Sequence, residues 1–228
     1  MKKTMLSAAV AVAALAMPAA AHAGSNEGKL QIKLLATGVL PDGDISRVNN
    51  ATAIAGTPLA ANPHTYASDT VVPTVAIEYF FNPNVSVETI CCLTKHHVNG
   101  AGSLAGTNLV NDVTVIPATV TVKYHAPLGP IKPYVGVGPT LFIMVDSKPG
   151  ATAATFSSST KMSSEVGVAV QAGVDVPLGN SGYALSLDAK KYWVSTTARW
   201  FNGAGTEVLS TKHKLDPWVL SAGVAYRF

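Results

Sequence analysis

The segment Leu215-Asp-Pro-Trp-Val-Leu-Ser-Ala-Gly-Val-Ala-Tyr-Arg-Phe228 alternates in character from one residue to the next. Counted by twos, as side chains fall along a strand, Trp218, Leu220, Ala222, Val224, Tyr226 and Phe228 share one face, and Ser221, Gly223, Ala225 and Arg227 the other. One face suits hydrocarbon and the other does not. In a membrane such a strand has all its backbone groups satisfied only within a closed sheet, so the segment predicts a barrel.

The start of the chain predicts export. Lys2 and Lys3 precede a small-residue apolar run from Met5 to Met17, followed by Pro18 and Ala21-His22-Ala23, the layout of a signal peptide over residues 1–23 that is cleaved before Gly24. Its removal leaves 14 basic residues against 13 acidic ones over 24–228. That near-neutral balance, with no Lys/Arg cluster, excludes a nucleic-acid surface, which must displace counterions from phosphates. The chain is 48% hydrophobic and only 13% charged, yet holds no uninterrupted apolar stretch of helix-spanning length, so a helical membrane protein is excluded too.

Alternating runs recur eight times, at about 29–39, 71–81, 85–95, 113–125, 131–145, 162–176, 183–196 and 214–228. Three connections are short and turn-like: Asn-Pro-Asn after Phe81, Ala-Pro-Leu-Gly-Pro after His125, and Pro-Leu-Gly-Asn-Ser-Gly after Val176. The other four, 40–70, 96–112, 146–161 and 197–213, are long and rich in Gly, Ala, Asn, Ser and Thr. A soluble sandwich also alternates but has no reason for this asymmetry, whereas an outer-membrane barrel has short periplasmic turns and long extracellular loops. Absence of a repeat or linker predicts one domain: an all-β, eight-stranded antiparallel transmembrane barrel. Outward aromatics agree, with Tyr79, Phe81, Tyr124, Tyr183, Tyr226 and Phe228 near one rim and Trp218 about 25 Å above Phe228, the height of an apolar band.

The inward register is divided by height. Its periplasmic half carries Lys33, Glu78, Glu88, Lys123, Asp175, Asp188, Lys190 and Arg227, four cations and four anions that should pair and plug a barrel this narrow. Its extracellular half carries Leu35, Val72, Ile90, Cys92, Val113, Val115, Phe142, Met144, Val194 and Val219, an apolar lining that suits an apolar guest better than water. Pro73, Pro117 and Pro139 fall inside upper strands, and each removes a ladder donor. Pro117 and Pro139, on neighbouring strands, mark a candidate lateral opening.

With the strands placed, the sequence resembles the OmpW family of small outer-membrane barrels. The resemblance is carried by Val75-Ala-Ile-Glu-Tyr-Phe80, Asn84-Val-Ser-Val-Glu88, Lys132-Pro-Tyr-Val-Gly-Val-Gly138, Val170-Gln-Ala-Gly-Val-Asp175, Leu215-Asp-Pro-Trp-Val219 and the terminal Tyr226-Arg-Phe228. It implies a hydrophobic lumen, uptake of small apolar molecules and their lateral release into the membrane. The chain departs from the family at Lys190-Lys191, where an aromatic pair is usual, so its pocket floor should be more polar.

Other chemistry is poorly supported. His125 and Ser186 point inward with Glu88 at their level, but nothing fixes a nucleophile against a base. His96 and His97 are adjacent and diverge on a strand, which makes a poor metal pair, and adjacent Cys91 and Cys92 cannot form an ordinary disulfide. The expectation is therefore a monomeric, non-enzymatic channel without metal or cofactor, in contact with outer-membrane lipid and lipopolysaccharide and admitting small hydrophobic molecules. The alternative is a structural or adhesive barrel acting through its long surface loops.

Overall fold

A computed structural model describes residues 25, 27–56, 62–126 and 128–228; the expected signal peptide lies outside the described residues. Among these, the strands in chain order are β1 (Leu30–Leu40), β2 (Ile45–Asn50), β3 (Pro63–Ala67), β4 (Thr70–Asn82), β5 (Val85–Cys91), β6 (Thr94–Gly102) and β7 (Asn108–His125), followed by β8 (Lys132–Pro149), β9 (Ser159–Met162), β10 (Glu165–Pro177), β11 (Tyr183–Trp193), β12 (Ser195–Phe201), β13 (Glu207–Lys214) and β14 (Trp218–Arg227).

Eight of them form a closed antiparallel wall in the order β1-β4-β5-β7-β8-β10-β11-β14, sealed by pairing of β14 with β1 from Gln31↔Arg227 to Leu40↔Trp218. Closure leaves no edge of unpaired backbone groups facing lipid. The outward parity is the expected one, with Leu220 49% and Val224 47% exposed, while Ala225 and Arg227 are buried. Val75, Ile77, Val120, Val122, Val135, Val137, Leu185 and Leu187 continue the outer apolar surface around the barrel. That is the side a lipid chain meets.

The periplasmic turns are closed locally. Asn82 Oδ1 accepts from the Asn84 and Val85 amides at 2.9 Å each, and Gly129 takes φ +61°, a conformation that only glycine adopts without strain. Above them Tyr79 and Phe81 meet edge to face at 5.4 Å, and Tyr183 and Tyr226 lie 4.7 Å apart, forming one aromatic rim. At the opposite rim Trp193 and Trp218 are exposed, and Lys191 Nζ sits 5.4 Å from the Trp218 ring.

The extracellular segments differ from the irregular loops that their composition predicts. The strands β2-β13-β12-β9 form a second, four-stranded sheet, and β3 pairs with β6 above the wall. Inward-facing Thr196, Ala198 and Trp200 are each fully buried, so this sheet has a period-2 core of its own built from small and β-branched residues. Trp200 anchors it, its Nε1 donating to the Leu109 carbonyl at 3.2 Å. Ile54, Leu104, Leu109 and Leu209 pack with Trp200 in one cluster that runs down to Phe142 and Tyr192 inside the barrel. The sheet is a cap on the lumen.

Candidate functional site

The lower lumen is filled by a buried ion network. Lys33 Nζ lies 3.2 Å from Asp175, 3.3 Å from Glu78 and 3.6 Å from Glu88; Lys123 Nζ lies 2.8 Å from Glu78 and 2.9 Å from Glu88. Lys190 reaches Glu88 at 3.2 Å and also bonds Asp188. Gln31 bridges Glu78 and Asp175, Gln171 bridges Glu88 and Asp188, and Thr121 donates to Gln171 at 2.8 Å. Tyr134 crosses the lumen to Asp188 at 2.9 Å, with the Lys123 ammonium 3.7 Å above its ring. Burying charge is costly unless every group is paired, and here shared partners from several strands satisfy it. Gly136 makes the crowding possible, because a Cβ there would come within 2.9 Å of the Cγ atoms of both Lys123 and Gln171.

Arg227 departs from the expected pairing. Its guanidinium stacks 3.5 Å over Phe80, and its Nε donates to the Gly28 carbonyl at the periplasmic rim. The network therefore holds three lysines against four carboxylates, with His125 bonded to Glu78 at 2.9 Å. Gln31, Gln171, Tyr134 and His125 belong to it without having been expected there, since polarity alone does not separate a network member from a lone inward side chain.

Above this floor lies a hydroxyl layer, in which Thr37 and Ser221 bond at 2.9 Å and Thr119 and Thr140 at 2.7 Å. Above that opens a cavity of about 50 Å³. Ile90, Cys92, Val113, Val115, Phe142, Met144 and Val219 border it, as do Val39, Thr94, His96, Val98, Met162, Tyr192, Leu215 and Pro217. Leu35 is buried just outside it against Ala76 and Ile90, and Val194 is buried in the cluster shared with the cap. Val72 has inward parity but is only half-buried and does not border the cavity.

A sealed, salt-bridged floor beneath an apolar chamber in an eight-stranded wall is a specific arrangement, and the OmpW family profile matches residues 26–228. The chain belongs to the OmpW family. It is 32% identical over 167 residues to an uncharacterized outer-membrane protein, y4mB, of Sinorhizobium fredii, covering 71% of this chain and 67% of that one. A dibenzothiophene metabolism operon protein, PahQ, of Pseudomonas aeruginosa is 29% identical over 166 residues, with 71% of this chain and 74% of the relative covered. The solid-state NMR structure of outer membrane protein AlkL in DMPC bilayers superposes with a TM-score of 0.68 at 26% identity, covering 90% of this chain and 92% of that one. This OmpW-family barrel is an outer-membrane protein.

In this family member the three strand prolines act at different places. Pro117 is buried and borders the cavity, whereas Pro73 and Pro139 are exposed on the outer surface. The β5–β7 ladder stops at Ile90↔Thr119, and the β6–β7 ladder resumes in the same register at Thr94↔Val115. That register puts Cys92, on the cavity wall, opposite Pro117, which has no N–H to donate. On the other flank β4–β5 pairing ends at Val75↔Cys91, which places Pro73 opposite Leu93. The β7–β8 ladder shows a separate gap between Thr119↔Thr140 and Val122↔Val137, at Pro139. Pro117 and Pro139 therefore interrupt two different seams, and the one that meets the cavity is at Pro117.

His125 and Ser186, the inward pair singled out in the sequence, have different surroundings. His125 bonds Glu78 and Ser86, and the Ser186 hydroxyl is buried without a hydrogen-bond partner. His96 turns inward and bonds the Ser68 carbonyl at 2.7 Å, while His97 faces Asn111 at 3.1 Å, so the two rings diverge.

Proposed function

We propose that this protein is a passive uptake channel for small hydrophobic molecules, which occupy the apolar chamber beneath the cap and leave sideways into the membrane beside Pro117, a wall residue with no N–H to give to the ladder. The observation that carries this reading is the stacking of an apolar chamber on a floor with no free polar path. Lining by Val113, Val115, Phe142, Met144 and Val219 favours a dry interior, because cavities without polar partners do not hold water. Ions and sugars gain nothing there, and the network below offers them no open route. An apolar solute that cannot pass downward has the bilayer core as its natural destination, with Leu93 exposed on the outer surface at the interruption. The name of the PahQ relative ties it to the metabolism of a polycyclic apolar compound, which agrees with this substrate class. Passage needs only one barrel and no cofactor.

The ordered cap also suits a surface-contact role, which would need no chamber. Uptake assays separate the two readings. Phe142→Asp or Val115→Asp should sharply lower accumulation of a dodecane probe by cells expressing the protein. Unchanged accumulation, with heat-modifiable electrophoretic migration showing an assembled barrel, would remove the chamber from the pathway and leave the surface role.

A further inference from the structure

The outward face above the membrane carries a charge imbalance. The upper sheet repeats the order of the wall beneath it, β2-β13-β12-β9 over β1-β14-β11-β10. Outward parity continues from one to the other: Trp193, Ser195, Thr197 and Arg199 alternate with buried Val194, Thr196 and Ala198. Above the exposed Trp193 and Trp218 this face turns from apolar to basic. Arg47, Lys161, Arg199, Lys212 and Lys214 are all exposed, against a single acid, Glu207, on these four strands. Register sets like charges directly opposite each other, Lys161 against Arg199 and Arg47 against Lys212, which destabilises a sheet unless an anion lies between them. Glu207 reaches Arg199 at 3.7 Å, and the acids that adjoin the strands in the chain, Asp44, Glu165 and Asp216, already accept from His64, Ser163 and Val194.

The same column of strands bears a second feature below the tryptophans. Ala172 pairs with Ala189 and Ala222 with Ala36, so small side chains adjoin across the outer wall and leave a shallow groove of about 430 Å³ flanked by Leu187 and Leu220. Ala189 lies four residues below Trp193 and Ala222 four below Trp218, about 10 Å into the hydrocarbon of the outer leaflet. Such a groove fits an acyl chain. A basic patch directly above it fits the anionic head of the same molecule.

We propose that this face is a binding site for one phosphorylated glycolipid of the outer leaflet, the lipopolysaccharide expected around the barrel. Its phosphates lie between Lys161 and Arg199 and between Arg47 and Lys212, where each neutralises two opposed cations, and an acyl chain lies in the alanine groove. The basic patch carries the inference, and the groove selects among anions. A free polyanionic glycan would satisfy the cations but leave the groove untouched. A zwitterionic phospholipid would fill the groove but bring no net charge to the patch. The site does not depend on the uptake reading, since neither the cations nor the alanines border the chamber.

The test is native mass spectrometry of the purified protein in micelles, titrated with bisphosphorylated lipid A or with lipid A stripped of both phosphates. The wild-type protein should bind the bisphosphorylated form about tenfold more tightly than the stripped form. Arg199→Gln combined with Lys212→Gln should weaken the bisphosphorylated form about tenfold and leave the stripped form unchanged. Lys95→Gln combined with Lys148→Gln removes two exposed cations on β6 and β8, away from this sheet, and should change neither. Ala189→Leu fills the groove and should weaken both forms about threefold. Heat-modifiable migration of each variant checks that the barrel is assembled. The inference is overturned if the two double variants weaken binding equally, or if the first leaves it unchanged. It is also overturned if Ala189→Leu leaves lipid A binding unchanged, which would make the face a surface for polyanionic glycans.

Discussion

The two halves of the lumen are built on the same strands and differ completely in what they tolerate. Glu88 and Ile90 are neighbours on one face of β5, as are Lys33 and Leu35 on β1 and Lys190 and Tyr192 on β11. A change of character from ion network to apolar chamber thus takes about 7 Å, one inward-facing position on each strand. The lower half must be complete, since any unpaired buried charge is penalised at full desolvation cost. The upper half can remain partly empty, since its wall has little to satisfy. One half therefore blocks and the other can receive.

Breaking the lower half should give the largest effect. Glu88→Leu leaves Lys33, Lys123 and Lys190 without their common partner and should destabilise the barrel by about 3–5 kcal/mol, read as a lowered urea midpoint of refolded protein in micelles. Phe142→Ala in the upper half should cost about 3 kcal/mol, the low end for losing a buried aromatic ring, because the site already adjoins open space. If the upper substitution proves the more costly, the contrast between the halves is wrong. Pro117→Ala sharpens the comparison from the other side. Supplying the N–H that Pro117 lacks should raise stability by about 1 kcal/mol in the same titration while slowing release of an apolar probe into the bilayer.

The smallest effect belongs to the cap. His213 is buried, its ring bonded to the Gly43 carbonyl at 3.2 Å and to the Thr65 and Thr211 hydroxyls, and burial pushes its pKa below the ordinary imidazole value despite the nearby Asp44 carboxylate. Because the packed cap binds a proton less readily than the opened one, its stability is full above about pH 6.5, the ordinary value, and declines as the pH falls below it. Amide hydrogen exchange in β2 and β13 should accelerate on acidification from pH 7 to pH 5, and His213→Gln should flatten that dependence.

The wall was legible because lipid imposes a strict rule on alternate residues. Leu220 and Val224 face outward, as their parity demanded, and seven of the eight expected charges meet in one network. Arg227 was misassigned because parity says which side a residue faces, not whether a carboxylate lies within reach. The cap was missed for a different reason. Its strands are short, and residues such as Thr196, Ala198 and Ser210 become a core only when a second sheet covers them, a tertiary effect that composition does not display. Tyr192 and His96 were overlooked as wall residues because one lay just above the charged run and the other was assigned to a loop.

The ion network gathers its members from β1, β4, β5, β7, β10 and β11, which together span most of the circumference. A partly curled sheet would hold these charges with no counterpart, in surroundings where neither acyl chains nor bulk solvent can neutralise them. Insertion is therefore expected to be all-or-none: the electrostatic reward arrives only when the last hairpin zips against the first strand, and the floor that fills the lower lumen also proofreads its construction.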